Sequence, residues 1–230
     1  MLGPTSNYLL DSLPPEARDL LDLEPVVLPQ GTPILEPGKP IDHIYFPETG
    51  MISVLVVTSE GHAVETAIVG REGGVGIQRG LGQRQSLTRA TVQIAGQFLT
   101  MAASRFEFAT AASTPIREMI TRYTEVLWGQ AQQTAACNAV HDASSRLCRW
   151  LLQSARSVGS DQLTLTQEFI SQMLGVRRTT VTLLAQHLQR SGAIRYRRGK
   201  ISILDRSRLE SCACECHKVM QNLQNEKLAS

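Results

Sequence analysis

Between Pro25 and Met101 the apolar residues come in short β-rich runs, at 32–35, 41–46, 51–57, 63–69, 87–94 and 98–101. Gly and Pro separate them, with turn pairs at Pro37-Gly38, Glu60-Gly61 and Gly73-Gly74, and no helical period interrupts the series. The pattern predicts an antiparallel roll or sandwich over residues 1–112. It changes at Thr114-Pro115, which reads as an N-cap followed by proline in the first helical position. From there Ile116, Ile120, Tyr123 and Leu127 fall on a heptad seam, continued by Gln130, Thr134, Cys137 and His141 with small or polar residues. Such a seam either joins two subunits or packs a helix on its own domain. Residues 113–142 are therefore expected to form one long helix. A further helical stretch around Leu147, Trp150 and Leu151 ends near Gly159 and opens a C-terminal unit of residues 143–230.

In that unit Thr164 and Gln167 have capping-box spacing, with Thr166 the alternative cap, so a short helix should run to Leu174. Gly175 ends it in a left-handed turn, and the next helix should span about 178–191. Ile170, Leu174, Val176, Val181 and Leu184 take the buried positions, and Ser171 is small where two helices must approach closely. A plain helical hairpin would use the same apolar pattern. The exposed start of the second helix decides: Arg177, Arg178, Thr179, Thr180 and Thr182 suit base edges and phosphates in a major groove. Beyond Gly192, two β-rich runs flank Arg197-Arg198-Gly199, and with Lys200 they predict a hairpin wing with a basic tip.

Charge supports this reading. Among residues 1–100 six Lys/Arg face eleven Asp/Glu, a net of −5, whereas residues 164–208 hold nine Lys/Arg against Glu168 and Asp205, a net of +7. The basic end calls for a polyanion. Apolar residues make up 42% of the 230-residue chain and charged residues 19%, the balance of a soluble globular protein without a membrane span. The N-terminus lacks a basic-then-apolar signal pattern, so a cytoplasmic location is expected. Five cysteines, an odd number and crowded at Cys212, Cys214 and Cys216, are expected to be reduced thiols.

The strings Leu165-Thr166-Gln167-Glu168, Met173-Leu174-Gly175-Val176-Arg177-Arg178, Val181-Thr182 and Tyr196-Arg197-Arg198-Gly199-Lys200-Ile201 resemble the winged helix of the Crp/Fnr superfamily of bacterial transcription regulators. The order of roll, long helix and winged domain resembles it over nearly the whole chain. The resemblance implies an α+β fold: an N-terminal, cyclic-nucleotide-binding-like β-roll, a long dimerisation helix and a C-terminal winged helix-turn-helix. It implies a homodimer paired through Ile116, Ile120, Tyr123 and Leu127, bound to a two-fold symmetric double-stranded DNA operator, with RNA polymerase a plausible further partner. By position, Arg178 is similar to the family's base-contacting arginine and Thr166 to its phosphate contact at the start of the first helix. Thr179 and Leu183 stand where cyclic-AMP receptors carry a glutamate and a further arginine, so a different target is expected.

The same resemblance places a degenerate effector pocket at Gly73-Gly74 and Arg84-Gln85. There the receptors hold the ribose with a Gly-Glu pair and the phosphate with an Arg-Ser pair; here the acidic ribose partner is missing, so cyclic AMP is not expected as an effector. Four thiolates hold an iron–sulfur cluster, and no cysteine precedes Cys137, so no cluster and no other cofactor are expected in the sensor region. Cys212, Cys214, Cys216 and His217 look like a zinc site. On a continuous helix only Cys212 and Cys216 share a face, so packing as small apolar residues is expected instead. Two rivals are a cupin-type metal enzyme, for which His62 and Glu65 are the only close pair, and a signalling module acting through protein contacts. One histidine and one carboxylate do not make a metal centre, and the chain is read as no enzyme.

Overall fold

A computed structural model of the chain describes residues 5–61 and 63–228, so His62 of the His62–Glu65 pair lies outside the described residues. Two helical turns, α1 (Tyr8–Asp11) and α2 (Pro15–Arg18), come first. The buried Asn7 caps α1 through Oδ1, while its Nδ2 donates to the carbonyls of Pro47 and Gly73, tying the entry of the chain to the roll. Strands β1 (Glu24–Leu28), β2 (Pro33–Leu35), β3 (His43–Pro47), β4 (Met51–Val57), β5 (Ala63–Val69), β6 (Arg89–Ile94) and β7 (Gly96–Ala102) form two antiparallel sheets, ordered β1-β7-β3 and β2-β6-β4-β5. Ile44, Phe46, Ile52, Val92 and Phe98 close the space between them. The α+β architecture with an antiparallel roll is as the sequence predicts.

Helix α3 (Ala103–Ala112) leads into the long helix α4 (Thr114–Val140). The cap is Ser113, one residue before the expected Thr114; its Oγ accepts from the Ile116 amide at 3.5 Å, and Pro115 stands in the first turn. The seam does not face outward. Ile116, Ile120 and Tyr123 are fully buried in the core of their own roll, and Leu127 packs against that core half-buried. Gln130, Thr134 and Cys137 continue the same buried stripe. The four residues expected at a subunit seam thus serve the monomer, because the sheets and α3 use up the one apolar face of α4.

Asp142 caps α5 (Ala143–Val158), accepting from the Ser144 and Ser145 amides at 2.8 and 3.1 Å, and Gly159 closes it at φ +68°. Strand β8 (Gln162–Thr164), helices α6 (Gln167–Leu174) and α7 (Arg178–Arg190), and strands β9 (Ile194–Arg197) and β10 (Lys200–Ile203) build the winged unit. Its core joins Leu147, Trp150, Leu151, Ile170, Val181 and Leu188 to Met51, Ile68 and Ile94 of the roll, so the two halves share a packed boundary. At that boundary the buried Glu65 accepts from Trp150 Nε1 at 2.7 Å and from the Ser53 hydroxyl.

The chain ends in α8 (Arg206–Cys212) and α9 (Cys216–Leu228), which packs back along α4. The expected continuous helix through the cysteines is broken: Ala213 is extended, at φ −75° and ψ 148°. Cys212 is left exposed, whereas Cys214 and Cys216 turn into the interior. Among the described residues no helix is long and apolar enough to cross a membrane.

Candidate DNA interface

Thr166 caps α6, its Oγ1 accepting from the Phe169 amide at 3.3 Å, whereas Thr164 is committed to β8. The alternative cap is therefore the one used. Gly175 ends α6 at φ +63°, and the Gly175 and Val176 amides donate back to Gln172 and Ser171, the paired closure that lets the chain reverse tightly. Val176 and Leu184 are half-buried, and Ile170, Leu174 and Val181 fully so, which fixes α7 across α6.

This turn projects the start of α7 outward. Arg177, Arg178 and Thr179 are exposed, and Thr180 and Thr182 half-buried. Arg178 Nε donates to Gln167 Oε1 at 3.3 Å, and the Thr182 hydroxyl lies within donating distance of the same oxygen and of the Arg178 carbonyl, at 3.3 and 3.2 Å. Gln167, itself among the residues expected to meet DNA, thus lies against the guanidinium at the first turn of α7. Leu183, 64% exposed, extends the same surface with an apolar side chain.

Lys200 pairs with Arg197 across β9 and β10, leaving a two-residue turn of Arg198 and Gly199 with φ of +49° and +75°. Positive φ at both positions matches the twist of a hairpin, and Gly199 meets it at no steric cost. Arg198 does so at a cost of about 1–2 kcal/mol. An Arg198→Asn variant should therefore be more stable by up to about 1 kcal/mol, since Asn tolerates this conformation, while binding cognate and random DNA more weakly by the same factor. Chemical denaturation and DNA titrations over a salt series check both, the salt slope falling by roughly one.

Leu165 N–H bonds the Gly199 carbonyl at 2.8 Å, and the Tyr196 hydroxyl donates to the Leu165 carbonyl at 3.2 Å, locking the wing to the entry of α6. Between wing and α7 lies an open groove of about 510 Å³, bordered by Thr166, Gln167, Arg178, Thr182 and Arg198. Arg206 and Arg208 are neutralised by Asp161 and Asp205. Among the described residues Arg177, Arg178, Arg195, Arg197, Arg198 and Lys200 meet no carboxylate, so the groove is flanked by uncompensated positive charge.

The four residues expected at a degenerate effector pocket, Gly73, Gly74, Arg84 and Gln85, are not brought together at one cavity. Gly74 lines a cavity of about 370 Å³ between the roll and α4. Gly73 instead lies against Tyr123, where a Cβ would collide with the phenol. Arg84 and Gln85 are off the cavity, because the backbone of 84–86 pairs with that of 38–41 along the edge of the roll. The buried Ser86 next to them does line it, its hydroxyl donating to the Thr88 carbonyl at 2.7 Å. Leu35, Val54, Leu87, Leu127 and Trp128 also line the cavity, and no lining residue is charged.

Residues 145–212 match the Crp-like helix-turn-helix domain family. The fold is similar to that of FixK2 from Bradyrhizobium japonicum, at 17% identity over 84% of this chain and 98% of that one, with a TM-score of 0.72. It is similar to a Crp/Fnr-family transcriptional regulator from Thermus thermophilus, at 22% identity over 83% and 98% of the two chains and a TM-score of 0.65. A third likeness is to CLP of Xanthomonas campestris, described as a c-di-GMP-responsive global regulator, at 19% identity over 83% and 97%, with a TM-score of 0.62. No curated protein sequence matches the chain.

Proposed function

We propose that the chain is a sequence-specific transcription regulator of the Crp/Fnr type that reads a two-fold symmetric operator as a homodimer, a reading supported by its fold and by the Crp-like helix-turn-helix domain at residues 145–212. The observation that carries this is the exposed, carboxylate-free cluster of Arg177, Arg178, Arg198 and Lys200 around the groove of α7 and the wing. Arg178, held by Gln167, is the group for a guanine edge; Thr179 and the exposed Leu183 face the neighbouring bases, Leu183 suiting a thymine methyl. Thr166 at the α6 N-terminus, the wing arginines and Lys200 grip phosphates.

Replacing Arg178 with Ala should cost about 1–3 kcal/mol at the best operator and relax preference at one base pair per half-site. Competition between operator and single-base variants measures this. Unchanged discrimination in the variant would remove Arg178 from the reading surface.

With the apolar stripe of α4 spent on the roll, the second subunit belongs on the flank of α4 beside that stripe. Thr121, Thr124, Trp128, Ala131, Ala135 and Asn138 recur there at spacings of three and four. Mostly small residues allow close approach, and Trp128, 66% exposed, is the anchor.

The cavity beside Trp128 favours a small, uncharged, largely apolar effector over an anionic nucleotide, since no cation lines it. Calorimetric titration with cyclic AMP or cyclic GMP should show no saturable heat at micromolar concentrations, a site that would need about 8 kcal/mol of binding energy. A one-per-chain micromolar isotherm coupled to tighter operator binding would overturn this aspect of the reading.

A further inference from the structure

Cys137 and His141 stand one turn apart at the end of α4, and the break at Ala213 swings Cys214 and Cys216 against them. Cys137 Sγ lies 3.5 Å from Cys214 Sγ, Cys216 Sγ lies 3.6 Å from His141 Nδ1, and the four ligating atoms all fall within 4.8 Å of one another. Three thiols and an imidazole, whose two contacting pairs are 77 and 75 residues apart in the sequence, thus converge on one point.

The spacing discriminates between chemistries. A disulfide requires sulfurs about 2.05 Å apart. A tetrahedral zinc ion, with Zn–S of about 2.3 Å and Zn–N of about 2.0–2.1 Å, puts its ligand sulfurs about 3.8 Å from one another and a sulfur about 3.6 Å from the imidazole nitrogen. The two short separations, 3.5 and 3.6 Å, are of that kind, and the remaining pairs lie within 4.8 Å.

Outer contacts complete the arrangement. His141 Nε2 lies 3.2 Å from Glu215 Oε2, so a proton on Nε2 points to a carboxylate and Nδ1 is left with its lone pair toward the sulfurs. Gln133 Nε2 donates to Cys216 Sγ at 3.0 Å, a contact that supports a thiolate. Arg149 is 5% exposed, and its guanidinium meets Gln153 Oε1 and the Met220 thioether rather than a carboxylate, leaving Nε without a partner. Its charge reaches Cys137. Three thiolates and a dication carry one net negative charge, which would offset this buried cation. Cysteines used only as small apolar filler would need none of these polar neighbours.

We propose that Cys137, His141, Cys214 and Cys216 form a Cys3His site for one tetrahedral divalent metal of the zinc class, which fastens α9 to the last turn of α4. Cys212 and His217, members of the run picked out in the sequence, are not ligands. The clamp joins the end of the long helix to the segment that follows the wing, and so holds the winged unit against α4. This does not depend on which ligand or operator the protein recognises.

The test uses the full-length protein, purified under reducing conditions, with elemental analysis and then titration of the metal-stripped protein with cobalt(II). One zinc per chain is expected, and cobalt should produce saturable thiolate charge-transfer and tetrahedral d–d absorption at one equivalent. Cys214→Ser and Cys137→Ser should each weaken binding at least tenfold and Glu215→Gln about tenfold, whereas Cys212→Ser and Cys148→Ser should bind as the parent does. Circular dichroism identifies any variant that fails to fold, and the titration of the unmodified protein stands without them. A folded, reduced parent chain that takes up no stoichiometric metal, a Cys214→Ser variant that binds as tightly as the parent, or a Cys137–Cys214 disulfide found by mass spectrometry in place of metal would each overturn the assignment.

Discussion

Ile120→Asp should unfold the β-roll rather than simply separate the subunits of a dimer. Ile120 is fully buried beside Phe106, Met119 and Tyr123, and Gly80 packs so closely on it that a Cβ there would press on its Cδ1. The substitution loses the burial of a large aliphatic side chain, about 2–5 kcal/mol, and places an unpaired carboxylate in the vacated space. A total on the order of 5 kcal/mol consumes much of the stability of an ordinary domain. Trp128→Glu should behave in the opposite way: the exposed indole contributes little to the monomer, so melting should move by only a few degrees while light scattering reports a shift from dimer to monomer. An Ile120→Asp protein that melts like the parent but is monomeric would return the subunit seam to the buried stripe.

The second large effect concerns pH. Burial pushes the Glu65 carboxyl up from 4.5 to about 7, opposed by the hydrogen bonds from Ser53 and Trp150 and by the charge of Arg149. Between those two values the folded protein keeps a proton that the unfolded chain releases, so stability falls as pH rises, by at most about 3 kcal/mol, and the loss is complete above pH 7. Glu65→Gln removes the titration. Its carbonyl can still accept from Trp150 Nε1, and its amide can donate to Ser53. The variant should therefore be the more stable protein at pH 8, with the two converging toward pH 4. Burial also raises Glu72, in contact with Ser157, so some of the falling trend should persist in the variant. Urea unfolding across this range measures the difference; a parent stability that rises from pH 5 to pH 8, with no gain in Glu65→Gln, would contradict the assignment. Since Glu65 belongs to β5 and Trp150 to α5, ionisation acts where the roll meets the winged unit.

The strands that alternate cleanly, and the helix and wing ends marked by Gly175 and Gly199, were legible from residue type alone. Strand β1 was not: it contains Pro25 and puts the apolar Val27 on its exposed face, so its residue types do not alternate even though its burial does. The stripe of α4 announced a buried face without saying what buries it. Ile116, Ile120 and Tyr123 fit a coiled-coil seam and a roll-packing face equally well, and only the tertiary structure separates the two. At the candidate interface the basic residues were readable, but the hold of Gln167 on Arg178 depends on how α6 crosses α7. The Cys137–Cys214 approach was hidden for a different reason. No Gly or Pro marks the break at Ala213, and the partner of the cysteine run lies 77 residues upstream.

The most direct measurement of the central claim is equilibrium binding of the purified full-length protein to a duplex that it has itself enriched from a random-sequence pool. A scrambled duplex of the same composition serves as comparison, across a salt series. The reading predicts a two-fold symmetric enriched sequence, two chains per duplex and at least about a thousandfold preference over the scrambled DNA. It also predicts a steep loss of affinity with salt, and a preference that Arg178→Ala reduces. Equal affinity for enriched and scrambled duplexes, or no binding to either at low salt, would contradict it.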